Sequence, residues 1–230
     1  MQAAGRVDSA YFRTGFLLAT LIYERDVQLE FSDLQRRVPL PRPDRPLARS
    51  PGHHVSGILY AIARRVGWLK PNEKDEAELP WRMAMGNMFE EFYFSLRLDC
   101  QWQPGEQQAD GVWGNCDAIC EDGDPVWGIK EPIVEETKFT ECKVRTWEEL
   151  SGVQAKGGKP VWMHQGKDYL HLYGPRYMRW TIGYYRGDWK GSGPVVRQYL
   201  VRFDDQEVRQ SWQMTLNGRQ WAEMESGAGR

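Results

Sequence analysis

Cysteine is scarce in this chain. Four occur in 230 residues, Cys100, Cys116, Cys120 and Cys142, and no two stand in CxxC spacing. That argues against a zinc framework, which needs closely spaced thiols or imidazoles. With so few cysteines and no recognisable export signal, reduced thiols in a cytoplasmic setting are the expectation. A long apolar run is also missing. The longest of note, Phe16 to Tyr23, is too short to span a bilayer and is bracketed by Arg13 and by Glu24, Arg25 and Asp26. It reads as a buried helix segment, and no membrane contact is expected. Nor is there a global excess of basic charge, since the net charge is −2.

What is present suits one soluble domain, with or without an added lobe. Hydrophobic residues make up 41% and charged residues 27%, enough to build a core and cover it. Eleven Trp and ten Tyr are many; most should pack, and some could stack on bases. Charge is uneven along the chain. From Lys130 to Arg202 there are 13 Lys/Arg against 8 Asp/Glu, a balance of +5, which leaves −7 for the remainder. A polyanionic partner would meet the second half first.

The pattern predicts helix over residues 8–30. An extended connector over 38–52 follows, punctuated by Pro39, Pro41, Pro43 and Pro46. Helical periodicity returns over 53–66, and KPNEKDEAE reads as a polar loop. Pro80 can open a helix running to about Leu98. Asp110 to Ile119 and Pro132 to Thr140 read as strands separated by the turn EDGDP. Gly157, Gly158 and Pro160 introduce a helix ending near Gly174. Met178 to Tyr185 and Val195 to Phe203 read as strands joined by RGDWKGSG. A last helix starts near Asp204 or Asp205, and Asn217-Gly218 could end it. The order suggests a mixed α/β sandwich.

Four short segments carry candidate chemistry. In IVEETKFT, residues 133–140, Val134, Glu136 and Lys138 share one strand face because side chains alternate. A carboxylate beside an ammonium suits phosphodiester hydrolysis: the acid holds a hard cation, and the lysine orients water or stabilises phosphate charge. ExK is common by chance, and Glu141-Cys142-Lys143 is a second instance, on the opposite parity. Asp117, in GNCDAI, stands in an apolar context 19 positions before Glu136, where an unpaired charge would be expensive. In WRMAMGNMFEEF, Met85, Met88, Phe89, Phe92 and Leu96 form the expected core stripe. Glu90 lies off that stripe, one turn after Gly86, which could admit another element. In HQGKDYLHLYG, Gln165 and Tyr169 share a helix face and could grip a nucleic-acid strand by hydrogen bonding and stacking. Lys156, Lys159 and Lys167 are expected to add positive charge near that helix's start.

In order, these segments are Gly86-Asn-Met-Phe-Glu90, Gly114-Asn-Cys-Asp117, Glu136-Thr-Lys138 and Gln165-Gly-Lys-Asp-Tyr169. Together they resemble the PD-(D/E)XK nuclease superfamily, in the branch of RecB-type domains, phage recombination exonucleases and CRISPR-adaptation nucleases. The likeness covers about residues 80–205. It implies a restriction-endonuclease-like α/β core over residues 76–222, a mixed sheet flanked by helices. Residues 1–75 would form a helical extension with the proline-rich connector, and 223–230 a flexible tail.

The resemblance makes Glu90, Asp117 and Glu136 metal ligands, with the backbone carbonyl of Thr137 as a further oxygen. Lys138 becomes the catalytic lysine, and Gln165 and Tyr169 hold DNA near the cut. It implies Mg2+ or Mn2+, since every ligand is a hard oxygen. The proline of the superfamily's name is replaced by Cys116. No cysteine follows Cys142, so no iron–sulfur cluster is expected. No helicase motif or Walker loop is present, so no attached motor is expected. The function implied is a metal-dependent deoxyribonuclease, an exonuclease ahead of an endonuclease or an inactive DNA-binding protein. A single-strand annealing or recombination protein as partner, and an oligomer, stay open.

Overall fold

The computed structural model describes residues 20–27, 50–69, 75–97, 99–152, 159–185 and 194–227. In chain order the elements are β1 (Thr20–Val27), β2 (His53–His54), α1 (Val55–Arg65), α2 (Asp75–Ser95), β3 (Gln101–Trp102), β4 (Gln107–Ala109), β5 (Val112–Gly114) and β6 (Ala118–Cys120). After a 3-10 turn, Pro125–Trp127, come β7 (Ile133–Thr140), α3 (Trp147–Ser151), α4 (Pro160–Tyr173), β8 (Tyr177–Tyr184), β9 (Val195–Arg202) and α5 (Asp205–Gly227). This is a mixed α/β fold. A six-stranded sheet in the order β1-β9-β8-β7-β6-β3 is flanked by helices, and β2-β5-β4 form a small second sheet.

The central pair, β7 and β8, is parallel. Parallel neighbours need a crossover, and α3 and α4 supply it. The other pairs of the large sheet are antiparallel. Period-two alternation gives the sheet two unlike faces. Val134, Trp180, Ile182, Tyr199 and Val201 face an apolar core closed by Ile58 and Ile62 of α1, Leu150 of α3, Leu170 of α4 and Trp212 of α5.

The alternate residues build a buried polar layer. Glu135, fully buried, accepts from Tyr93 of α2 at 2.7 Å, Thr181 at 2.7 Å and Arg179 at 3.0 Å. Arg179 also donates to Asp124 at 2.9 Å. A buried charge without partners would be prohibitive, and this layer supplies them. Burial by itself would push Glu135 up, but Arg179 and Arg97 hold its carboxyl below the usual range.

Several expectations change. Residues 20–27, expected in a helix, form β1 and pair with β9. A short apolar run does not distinguish helix from buried strand, and Ile22, Tyr23 and Val27 favour the strand. The described part of residues 1–75 is no separate extension, since β1 belongs to the large sheet and α1 to the main core. Helix α2 begins at Asp75, ahead of Pro80. The single strand expected over 110–119 is broken into β5 and β6. Met88, placed in the core stripe, is 63% exposed. Asn217-Gly218 does not end α5; Gly218 lies where any side chain would overlap Ile62 of α1, so it lets the two helices close. The expected helix over 8–19, most of the connector, the loop residues 70–74, Gly157-Gly158, the link 186–193 and residues 228–230 lie outside the described residues. Among the described residues, no helix is long and apolar enough to cross a membrane.

Cys100 and Cys120, expected as free thiols, form a disulfide. The sequence spacing hid this, because the pair meets across strands. β3 and β6 pair Trp102 with Ala118 and Gln101 with Ile119, so the next opposed positions are Cys100 and Cys120.

Candidate active site

The ladder between β6 and β7 ends at Ala118 opposite Glu135. The next donor on that edge of β7 is the Thr137 N–H, and Asp117 takes it. Its Oδ2 accepts from the Thr137 amide at 2.7 Å and from the Thr137 hydroxyl at 2.8 Å. Asp117 is thus fixed beside β7 by the strand's own unpaired amide. One residue before Thr137, Glu136 is 3% exposed; one residue after, Lys138 Nζ donates to Glu136 Oε1 at 2.5 Å. The shared face expected for 136 and 138 is what the strand delivers. Glu141 instead accepts from the exposed Tyr185 hydroxyl at 3.0 Å, and Lys143 lies 3.7 Å from Glu149, so that second pair is elsewhere.

Glu90 approaches from α2. Its Oε1 accepts from Trp102 Nε1 at 3.1 Å and Gln103 Nε2 at 3.2 Å. The backbone N–H of Gln103 donates to the backbone carbonyl of Asp117 at 2.8 Å. Gly86 was expected to admit a close neighbour beside Glu90, but a side chain there would meet open space. The crowded glycine is Gly114, where a Cβ would press on Leu172 and Tyr169 of α4.

That close approach brings α4 to the site. Gln165 and Tyr169 lie one turn apart, and Gln165 Nε2 donates to the Tyr169 hydroxyl at 2.8 Å. Tyr169 is only 4% exposed, so its ring is core and cannot stack on a base as expected; its hydroxyl and Gln165 remain at the site. Lys167 is buried against Glu207 at 3.1 Å and adds no surface charge. Lys159 lies 5.0 Å from the Trp162 ring, and Lys156 is outside the described residues.

Of the residues singled out for chemistry, Glu90, Asp117, Glu136, Gln165 and Tyr169 line one cavity of about 330 Å3, while Lys138 reaches it through its bond to Glu136. The cavity wall includes Gly114. It also includes His54, Glu106, Asn87, Gln103 and Asn115, which the sequence reading had not singled out. His54 Nδ1 lies 3.6 Å from Glu106 Oε1, and Glu106 Oε2 accepts from the Ser50 amide at 3.1 Å. The linear pattern offers no signal for His54 and Glu106, which come together where β2 and the start of β4 join the small sheet.

The electrostatics are those of crowded acids. Burial, then Glu136 and Glu90, push the Asp117 carboxyl well above the ordinary range. Burial also raises Glu136, against the pull of Lys138. Burial opposes the charge on Lys138, yet Glu136 and Asp117 outweigh it and raise its pKa. Glu136 Oε2 is buried with no hydrogen-bond partner. A buried, unsatisfied carboxylate oxygen among like charges fits a hard divalent cation, which would satisfy the oxygen and relieve the repulsion. The three acids are not drawn into a tight cluster. Among the described residues, the one trio of donor atoms within 4.8 Å is Asp99, Cys100 and Cys120.

No protein family matches the chain, and no curated protein does. Several solved structures are similar at low levels, two exonucleases among them. A phage-related exonuclease from Haemophilus somnus 129PT gives a TM-score of 0.44 at 10% identity, covering 79% of this chain and 98% of that one. An alkaline exonuclease, LHK-Exo, from Laribacter hongkongensis gives 0.36 at 11% identity, covering 78% and 95%. Likenesses of that size carry no argument for a shared activity.

Proposed function

We propose that this chain is a metal-dependent DNA nuclease of the PD-(D/E)XK kind, acting as an exonuclease. The observation that supports this most is the meeting of four separate segments at one cavity, with Lys138 paired to Glu136 at its edge. Glu90, Asp117 and Glu136 would hold Mg2+ or Mn2+, with the Thr137 carbonyl as a further oxygen. The ion would supply Lewis-acid activation of the phosphate and of water.

The chain's own residues divide the remaining work. Lys138, held by Glu136 and with its pKa raised by Glu136 and Asp117, acts as a cation beside the phosphate. Glu136 orients that ammonium through its Oε1 and keeps Oε2 for the ion. Thr137 fixes Asp117 through two donors. Gln165, braced by the Tyr169 hydroxyl, offers an amide to a phosphate or base edge. Preference for an exonuclease rests on that Gln165–Tyr169 pair through the resemblance.

The test is digestion of end-labelled linear duplex and of a covalently closed circle with Mg2+ or Mn2+. Wild type is expected to degrade the linear substrate and spare the circle. Asp117→Asn and Lys138→Ala, both folded, are expected to lose at least about a hundredfold in rate. Cutting of the circle would replace the exonuclease by an endonuclease. No product with any divalent metal would leave a DNA-binding protein.

A further inference from the structure

β3 is two residues long and forms the outer edge of the large sheet. Together with Gln103, the residue that follows it, β3 nevertheless holds Glu90 and Asp117 of the candidate metal site. Trp102 and Gln103 donate to Glu90 Oε1, and the backbone N–H of Gln103 donates to the backbone carbonyl of Asp117. Two ladder positions are a weak hold for an edge strand. The Cys100–Cys120 disulfide is the covalent rung beside them.

The surroundings of the disulfide suit exchange. Cys120 is fully buried, whereas Cys100 is partly open to solvent. Arg97 Nη2 lies 3.0 Å from Cys100 Sγ and 3.6 Å from Cys120 Sγ, and Arg179 Nη1 lies 3.9 Å from Cys120 Sγ. Guanidinium groups favour a departing thiolate. Glu135 Oε2, 3.3 Å from Cys120 Sγ, opposes them but is itself bound by both arginines.

We propose that Cys100–Cys120 is a redox switch on the metal site: oxidised, it locks β3 and so sets Glu90 against Asp117; reduced, it releases them. This rests on the reading of Glu90 and Asp117 as metal-holding residues. A dithiol reductant opens it in two steps. One thiolate attacks Cys100 Sγ, and the S–S electron pair leaves on Cys120 Sγ. The reductant's second thiolate then displaces Cys100 and closes its own disulfide. Two electrons pass to the protein, and two protons are taken up as both cysteines become thiols. Trp102 and Gln103 are positioning residues in this scheme, acting through Glu90.

The experiment compares Mn2+ binding by calorimetry, and amide exchange over residues 99–104, in oxidised protein and in protein reduced and desalted under argon. Thiol counting by mass fixes the redox state. Reduction is expected to weaken Mn2+ binding by at least about tenfold and to speed exchange at residues 101–103. The double variant Cys100→Ser/Cys120→Ser should bind as weakly as reduced protein and ignore reductant. Oxidised Trp102→Phe, which keeps the disulfide and loses the indole donor, should fall between. Equal affinity and equal exchange in the two states would overturn the switch while leaving the metal site intact. So would Cys100 and Cys120 remaining free thiols after a mild oxidant. Absence of Mn2+ binding in every form would overturn the metal site itself and the switch with it.

Discussion

Thr137 stands between Glu136 and Lys138, which are paired with each other, and gives both of its donors to a third residue, Asp117. Its amide and its hydroxyl reach the same Asp117 oxygen, at 2.7 and 2.8 Å. The middle residue of the Glu136-Thr137-Lys138 run is therefore the clasp between β7 and the segment that ends in β6.

Replacing Thr137 by Val keeps the shape and the amide but removes the hydroxyl donor. The loss of one hydrogen bond to a carboxylate, about 1 kcal/mol, should weaken Mn2+ binding roughly fivefold with the fold retained. Calorimetric titration checks this. Wild-type affinity in a folded Thr137→Val variant would show that the hydroxyl does not position Asp117.

Tyr169→Phe separates ring from hydroxyl. The ring is buried and should keep the core intact, while Gln165 loses its brace. DNA affinity in Ca2+, read by fluorescence anisotropy, is expected to fall by roughly fivefold, with Mn2+ affinity unchanged. Unaltered DNA affinity would remove the pair from the substrate grip.

Asp168 gives a pH dependence of its own, away from Glu90, Asp117 and Glu136. Buried between α4 and α5, it accepts from Ser211 at 2.8 Å and Thr215 at 2.6 Å. Burial pushes its carboxyl up to about 7 from an ordinary 3.8. A raised carboxyl favours the folded state while protonated, so its contribution is whole below the ordinary value and is lost as pH rises through about 7. Between pH 5 and pH 8, wild type should lose roughly 2 kcal/mol relative to Asp168→Asn, by urea unfolding. Parallel stability curves for the two proteins would refute the assignment.

Arg179→Met tests the polar layer. It leaves Glu135 with Arg97 as its cationic partner beside Tyr93 and Thr181, and Asp124 without the Arg179 guanidinium. Removing one partner from a buried ion network costs about 3–5 kcal/mol, which should appear as a lower urea midpoint. Adding Glu135→Gln should recover part of the loss. A single variant as stable as wild type would mean the layer is not electrostatically linked.

Where chemistry follows local spacing, the sequence was legible. The period of a strand set Glu136 and Lys138 side by side, and the period of a helix did the same for Gln165 and Tyr169. The boundaries of β7, β8, β9 and α4 were close for the same reason. Contacts between distant segments left no linear mark. Cys100 meets Cys120 only because β3 and β6 pair, and Glu135 meets Arg97 and Arg179 only inside the folded layer. Lys167 looked like surface charge because its partner, Glu207, lies 40 positions away. The start of α3 does carry a local mark, since Thr146 and Glu149 form a capping box.

Arg25 of β1 and Gln198 of β9 are bonded to each other across 173 positions of chain. A ribosome that has just released β1 has most of the protein still to make before the partner strand exists. Until then the strand presents an open hydrogen-bonding edge, the usual template for association between nascent chains. Closing so long a loop also belongs late in folding. Glu24, Arg25 and Asp26 occupy the second half of that edge strand. Besides their native bonds to Arg197 and Gln198, these three charges guard against aggregation during the wait.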